Sequence, residues 1–230
     1  AAVKIDGFPV ITNWEDPLAP PAGFETAQEW CPKNFIIGIS DANTHKDKRL
    51  PGNSSVVSEV AATPSNPDNA IDVSALLNEI IATESANEGV ALVDYAGAPL
   101  QPGVANGAGL AGSAYPAALA YYANTRDIRP DAAAIQTQGK QTVRTFFVDV
   151  REAGSWGTGV TRSDPRRRNQ LWLAGKYGGF ADLNDNGLLD AGDAVADVNG
   201  DGVIDILDVW DGNGDQLPDT YFEASSPEAF

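Results

Sequence analysis

Between Asp182 and Asp219, acidic and amide side chains recur at alternate positions in three runs, DLNDNGLLDAGD, DVNGDGVIDILD and DGNGDQLPDTYF. Oxygen donors at this spacing suit the binding of a hard divalent cation. Calcium takes six to eight oxygens at about 2.3–2.6 Å, and a twelve-residue loop can supply them if short side chains alternate and a glycine at position 6 permits the sharp bend. In the second run Asp197, Asn199 and Asp201 stand at positions 1, 3 and 5, Gly202 at 6, Val203 at 7 with its carbonyl, Asp205 at 9 and Asp208 at 12. The first run repeats this with Asp182, Asn184, Asn186, Gly187, Leu188, Asp190 and Asp193. Both close on Asp where an EF-hand closes on Glu, which changes reach or denticity. In the third run Asp211, Asn213, Asp215, Leu217 and Asp219 keep positions 1, 3, 5, 7 and 9, but Gln216 replaces the glycine and Phe222 the last acid. The expectation is two EF-hand-like calcium loops and a third with a weaker donor set.

A solvated acidic loop is the competing reading, yet it requires neither the glycine at position 6 nor the apolar residues that follow. The expected role of calcium is structural. Residues 177–230 hold 13 acids and no Lys or Arg, so without a cation they repel one another.

The same charge excludes other chemistries. A net charge of −17 leaves no basic footprint for nucleic acid. The one basic cluster, Arg166-Arg167-Arg168 after Asp164-Pro165, reads as a loop or a processing-prone site, not a phosphate clamp. His45 is the only histidine, which removes His-based catalytic pairs and His-rich zinc sites, and no GxSxG, HExxH or Walker-type loop occurs. Carboxylates are plentiful but sit at metal-loop spacing, and nothing nominates a pair across a cleft. A non-enzymatic protein is expected. Of the five tryptophans, Trp172 and Trp210 read as core, and Trp156 in GSWGTG as the candidate surface contact.

No stretch approaches the roughly 20 apolar residues of a membrane span. The absence of Met suggests a mature product or a fragment, and the single Cys31 is open to pairing elsewhere or to burial. Millimolar calcium is an extracellular condition, which places the protein outside the cytoplasm.

Several elements must position these loops. Asn34–Ser40 (NFIIGIS) is a continuous apolar run, expected as a buried parallel strand, and Thr142–Val150 (TVRTFFVDV) as a second. Asp72 caps a helix in which Val73, Leu76, Leu77, Ile80 and Ile81 recur at helical spacing. Ala114–Asn124 is a second helix with Pro116 in its first turn, and Asn169–Tyr177 a third, stopped by Gly178-Gly179. Thr220–Ala224 could add a strand, and Ser226–Phe230 could open a helix. Residues 1–29 read as an irregular lead-in with a short strand at Val3–Ile5, 42–70 as a long excursion, and 94–113 as loop. Strands flanked by helices imply an α/β sheet covered on both faces.

Four stretches carry a family resemblance: CPKNFIIGISDANTH, ALAYYANTRDIRPD, GKQTVRTFFVDV, and LWLAGKYGGFADLNDNG with WDGNGDQLPDTYFEASSPEAF. In this order they resemble the von Willebrand factor A-like domain of the tip-associated adhesins of type IV pili, the PilC/PilY family. The resemblance spans about Cys31 to Phe230. It implies a von Willebrand A-like (Rossmann-like) sheet flanked by helices, with a metal site at the C-terminal edge. Asp41 stands where the last acid of that site belongs, although its loop reads SDAN with Ala42 where the family has Gly. The DxSxS loop of that site is missing, since Asp72-Val73-Ser74 lacks the second Ser, so the chain is expected to start after the first strands of the domain.

The resulting organisation is a lead-in at 1–29, a partial α/β adhesion-like domain at 30–180, and a calcium-loop segment with a final strand of the same domain at 181–230. The expected function is calcium-dependent adhesion or assembly at a pilus tip or cell surface, with pilus components or a host or abiotic surface as partners. A dockerin-like or thrombospondin-like assembly module is the alternative. A dockerin repeats its loop after a helix of one to two dozen residues, whereas loop starts at Asp182, Asp197 and Asp211 leave no room for one.

Overall fold

A computed structural model describes residues 33–42, 50, 71–94, 97–102, 113–128, 139–150 and 164–224. The expected short strand at Val3–Ile5, Cys31, His45, Trp156 and the expected helix opening at Ser226–Phe230 lie outside these residues. The chain divides into a unit of residues 1–33 and 127–141 and a unit of 34–126 and 142–230. The second carries the acidic loops and is the one described below.

Among the described residues three strands, β1 (Asn34–Ser40), β2 (Val143–Asp149) and β3 (Tyr221–Glu223), form a parallel sheet in the order β1-β2-β3. Asn34 pairs with Val143 at one end and Ser40 with Asp149 at the other, and Phe147 pairs with Tyr221. Helices α1 (Val73–Glu88) and α2 (Tyr115–Thr125) lie between β1 and β2 in sequence, and α3 (Gln170–Gly179) follows β2. The carboxylate of Asp72 accepts the Ala75 N–H at 2.9 Å, so the expected N-cap opens α1.

The core lies between the helices and one sheet face. Tyr115, Tyr121, Tyr177, Leu77, Ile80, Leu171 and Leu173 are fully buried. Tyr121 and Tyr177 meet edge to face with ring centroids 5.4 Å apart, and Trp172 and Trp210 do the same at 5.3 Å. The expected burial of both tryptophans is met.

Two expectations about the sheet fail together. β1 is parallel as expected but not buried: Phe35, Ile36, Ile37 and Ile39 are 52–70% exposed. Nor do the described residues place helices on both faces. Thr145, Asp149 and Tyr221, on the helix side, are buried, while Ile37, Ile39 and Phe222 on the opposite face are exposed. Ile36, in register with Thr145 on the helix side, is open because β1 is the edge strand of this sheet; for the opposite face the reason is topological. Strands laid side by side in chain order through right-handed crossovers put every connecting helix on the same face. An apolar run reports that a strand can be covered, not that the residues at hand cover it.

The third helix also departs from expectation. Gly178 and Gly179 do not stop α3 but form its last turn. A Cβ on Gly178 would come within 2.8 Å of Ala120 Cβ and 2.9 Å of Thr145 Cβ, and one on Gly179 within 2.0 Å of Thr220 Oγ1. The pair therefore serves close packing of α3 against α2, β2 and the entry to β3, and side-chain-free residues are needed for that approach.

Candidate metal centre

The loop segment is fixed to the helical layer at several points. The Tyr121 hydroxyl of α2 donates to the Gly187 carbonyl at 2.8 Å, and Asn87 Nδ2 of α1 donates to the Leu189 carbonyl at 3.1 Å. Burial pushes the Tyr121 phenol up to about 12, with the Glu79 carboxylate acting in the same direction, so it is a donor at any ordinary pH. Leu189, Ile206 and Trp210 insert into the core between the acidic residues.

Within the segment one pattern occurs three times. The position-1 carboxylate accepts the position-6 N–H: Gly187 to Asp182 at 3.0 Å, Gly202 to Asp197 at 2.9 Å and Gln216 to Asp211 at 2.8 Å. The position-3 amide oxygen accepts the position-5 N–H: Asn186 to Asn184 at 3.0 Å, Asp201 to Asn199 at 2.9 Å and Asp215 to Asn213 at 3.0 Å. Position 5 accepts from position 7 in the same way, with Leu188, Val203 and Leu217 donating at 2.7, 2.8 and 2.9 Å. These short side chains wind the backbone by capturing its N–H groups.

The first two loops close alike and the third differently. In the first, Asp193 Oδ1 accepts from Leu183 at 2.8 Å and Asn184 at 3.1 Å; in the second, Asp208 Oδ1 accepts from Val198 at 2.8 Å and Asn199 at 3.1 Å. In the third, Phe222 belongs to β3, and the closing role falls to Asp219, which accepts from Gly212 at 3.2 Å. Asp190 caps a 3-10 turn at Ala191–Asp193, and a four-residue helix, α4 (Leu207–Trp210), is all that separates loops two and three. Burial raises the Asp193, Asp211 and Asp219 carboxyls, whereas the backbone N–H of Asp205 leads the hydrogen bonds that lower Asp208.

Position 6 is left-handed in all three loops, with φ of 75° at Gly187, 90° at Gly202 and 66° at Gln216. Position 4 is left-handed as well, at Asp185 (57°), Gly200 (77°) and Gly214 (70°), a second bend that the reading of position 6 alone missed. The Asp, Gly, Gly succession there was its signal. Gln216 makes the bend without the glycine at a cost of about 1–2 kcal/mol, against about 0.5–1 kcal/mol for glycine's extra chain entropy. Gln216→Gly is accordingly expected to stabilise the protein by about 0.5–1 kcal/mol in urea denaturation.

The donor set is oxygen only and suits a hard cation. Among the described residues, no three Asp, Glu, His or Cys side chains converge on one point, since the carboxylates are turned to backbone N–H groups. Asp41 is placed apart from the loops, half-buried directly after β1 at the C-terminal edge of the sheet, where Ser40 pairs with Asp149.

Asp149 was not singled out from the sequence. Buried at the end of β2, it accepts from the Tyr221 hydroxyl at 2.7 Å and from Asn169 Nδ2 at 3.1 Å. The basic cluster is corrected too. Arg166 pairs with Asp164 at the surface, but Arg167 is buried against Glu223, and Arg168 reaches Glu84 and Glu88. The cluster lies in a short 3-10 turn at Pro165–Arg167 between β2 and α3, as a loop was expected, but two of the three arginines are structural ion-pair partners, which argues against the processing-prone reading. Lys176 completes this group, 2.6 Å from Glu84 and also paired with Glu88, with its ammonium 4.2 Å from the Trp210 ring centroid. Such pairs join α1 to α3, and no local pattern in the sequence could reveal them.

Fold and loops together define a parallel α/β unit that carries three acidic turns between α3 and β3. Over 182 residues the chain is 39% identical to a type IV pilus biogenesis factor PilY1 homolog of Xylella fastidiosa strain Temecula1, a match covering 77% of this chain and 13% of that protein. Homology with that part of a type IV pilus-associated protein follows, and the chain spans only a small fraction of its relative's length. No family model matches the chain, and no solved structure does.

Proposed function

We propose that the chain is a calcium-stabilised, von Willebrand A-like adhesion or assembly module of a type IV pilus-associated protein, acting by binding and not by catalysis, outside the cell. The observation that carries the calcium reading is the threefold repetition of one loop geometry built on oxygen donors at positions 1, 3 and 5. Loops one and two, with a closing Asp at position 12, are the two principal calcium sites; loop three, closed by Asp219, is a third. The pilus reading rests on the similarity to the PilY1 homolog. In the longer protein Asp41 would add a ligand to a separate metal site at the sheet edge, and Trp156 a surface contact.

The cation would hold together a segment whose acids otherwise repel, and so fix its neighbouring loops for a partner. The dockerin-like alternative gains nothing from the fold, because α4 has four residues where a dockerin needs a long helix. Retention of the chain on immobilised type IV pili in millimolar calcium, reversed by chelator, is the expected result. Equal retention with and without calcium would separate binding from the loops. No retention on pili, against retention on a host-cell or abiotic surface, would move the partner from the fibre to the surface.

A further inference from the structure

Two buried side-chain N–H donors among the described residues have no hydrogen-bond partner in the protein, Trp210 Nε1–H and Arg144 Nε–H. Both residues line one cavity of about 30 Å³, walled also by Lys176, Asp219 and Thr220. Arg144 comes from β2, Trp210 from the end of α4, and Asp219 from position 9 of the third loop. Buried polar groups are almost always satisfied by protein or by ordered water. A water needs about 10–15 Å³ and two to four polar partners, so the volume admits one water or two, the two unpartnered donors call for one shared acceptor, and an organic ligand does not fit.

We propose that the cavity is a site for a single structural water, which accepts hydrogen bonds from Trp210 Nε1–H and Arg144 Nε–H and donates to the Asp219 carboxylate. Donors alone would also suit a halide. The carboxylate on the same wall favours a neutral ligand that can both accept and donate, and Lys176 is already committed to Glu84 and Glu88. The water would tie the third loop to the sheet. The Asp219 N–H already donates to the Trp210 carbonyl at 2.9 Å, closing the loop through its backbone. A bridge from the indole to the carboxylate would hold the side chain as well. Arg144 is then a positioning residue for loop three, a consequence that rests on the calcium reading above.

The experiment is nuclear magnetic resonance on the full chain, following the Trp210 indole N–H, assigned by its loss in Trp210→Phe. The expected result is a cross-peak to a long-lived water together with slow hydrogen exchange, with or without calcium. Absence of that cross-peak overturns the proposal, and a resonance that moves in a bromide titration replaces the water with an anion. The same indole, next to Asp211, reports calcium entering loop three. Arg144→Lys, which keeps the charge but lacks the Nε–H, is expected to lose the water cross-peak and to weaken that calcium response severalfold. A water cross-peak with no calcium response in the wild-type chain keeps the water and overturns the positioning role. Should Trp210→Phe fail to fold, the change of the indole signal in Arg144→Lys provides the assignment.

Discussion

Replacing Glu84 by Ala is expected to cost about 3–5 kcal/mol, the usual penalty for stripping one partner from a buried ion-pair group. Glu84 is fully buried in α1 and accepts from Lys176 at 2.6 Å, from the Tyr177 hydroxyl at 2.9 Å and from Arg168. Without it, two cations share the Glu88 carboxylate, in contact with Trp172 and Trp210 and screened from water. A protein of this class has about 5–15 kcal/mol in all, so the variant would stand near its unfolding threshold. Urea denaturation measures the loss; a change below about 1 kcal/mol would mean the group is solvated in solution.

The pH dependence has a definite sign. Burial acts to raise the Glu84 pKa, but attraction to Lys176 and Arg168 exceeds it, and the net shift is downward from 4.5. A carboxyl whose folded pKa is depressed contributes stability that is present above its unfolded value and lost as pH falls through the folded one. The gap between wild type and Glu84→Gln should therefore be full at neutral pH and begin to narrow below about pH 4.5.

The second large effect is calcium itself. A ligand that binds only the folded state at 100 times its dissociation constant stabilises by about 2.7 kcal/mol per site. For a chain of this size each kcal/mol raises the melting temperature by about 2–4 °C, so one filled loop should add about 5–10 °C over chelator. Asp201→Asn is the informative variant. Asp201 Oδ1 accepts the Val203 N–H at 2.8 Å, a bond that the amide oxygen of Asn preserves while the charge is lost. Asp197→Ala is harsher, because Asp197 also holds the N–H groups of Gly200 at 2.7 Å and Gly202 at 2.9 Å. With chelator Asp201→Asn should melt near wild type, and in calcium it should fall short by the share of loop two. Identical melting of the wild type in calcium and chelator would overturn the structural role of the cation. Equal melting of wild type and Asp201→Asn in calcium would remove loop two as a site.

Much of this fold is legible because it is local. The Asp72 cap, the apolar spacing of α1 and the Pro116 start of α2 are fixed by neighbours within one helical turn, and the helices appear within a residue or two of expectation. The loops are local too. Alternating Asp and Asn capture backbone N–H groups two to five residues away, so their winding follows from composition and spacing.

What tertiary structure decided was everything set by distant approach. Gly178-Gly179 reads as a helix stop, but becomes a contact surface because Ala120, Thr145 and Thr220 arrive there from elsewhere in the chain. Arg167 and Arg168 read as part of a loop or processing-prone site, but are held by Glu223 and by Glu84 and Glu88. The isoleucines of β1 promise burial, but Ile36 on the helix side and Ile37 and Ile39 on the other face of this edge strand are all exposed. Short-range sterics and hydrogen bonding are written in consecutive residues. Which face is covered, which glycine is crowded and which charge finds its partner depend on segments tens of residues apart, and those meetings exist only in the folded chain.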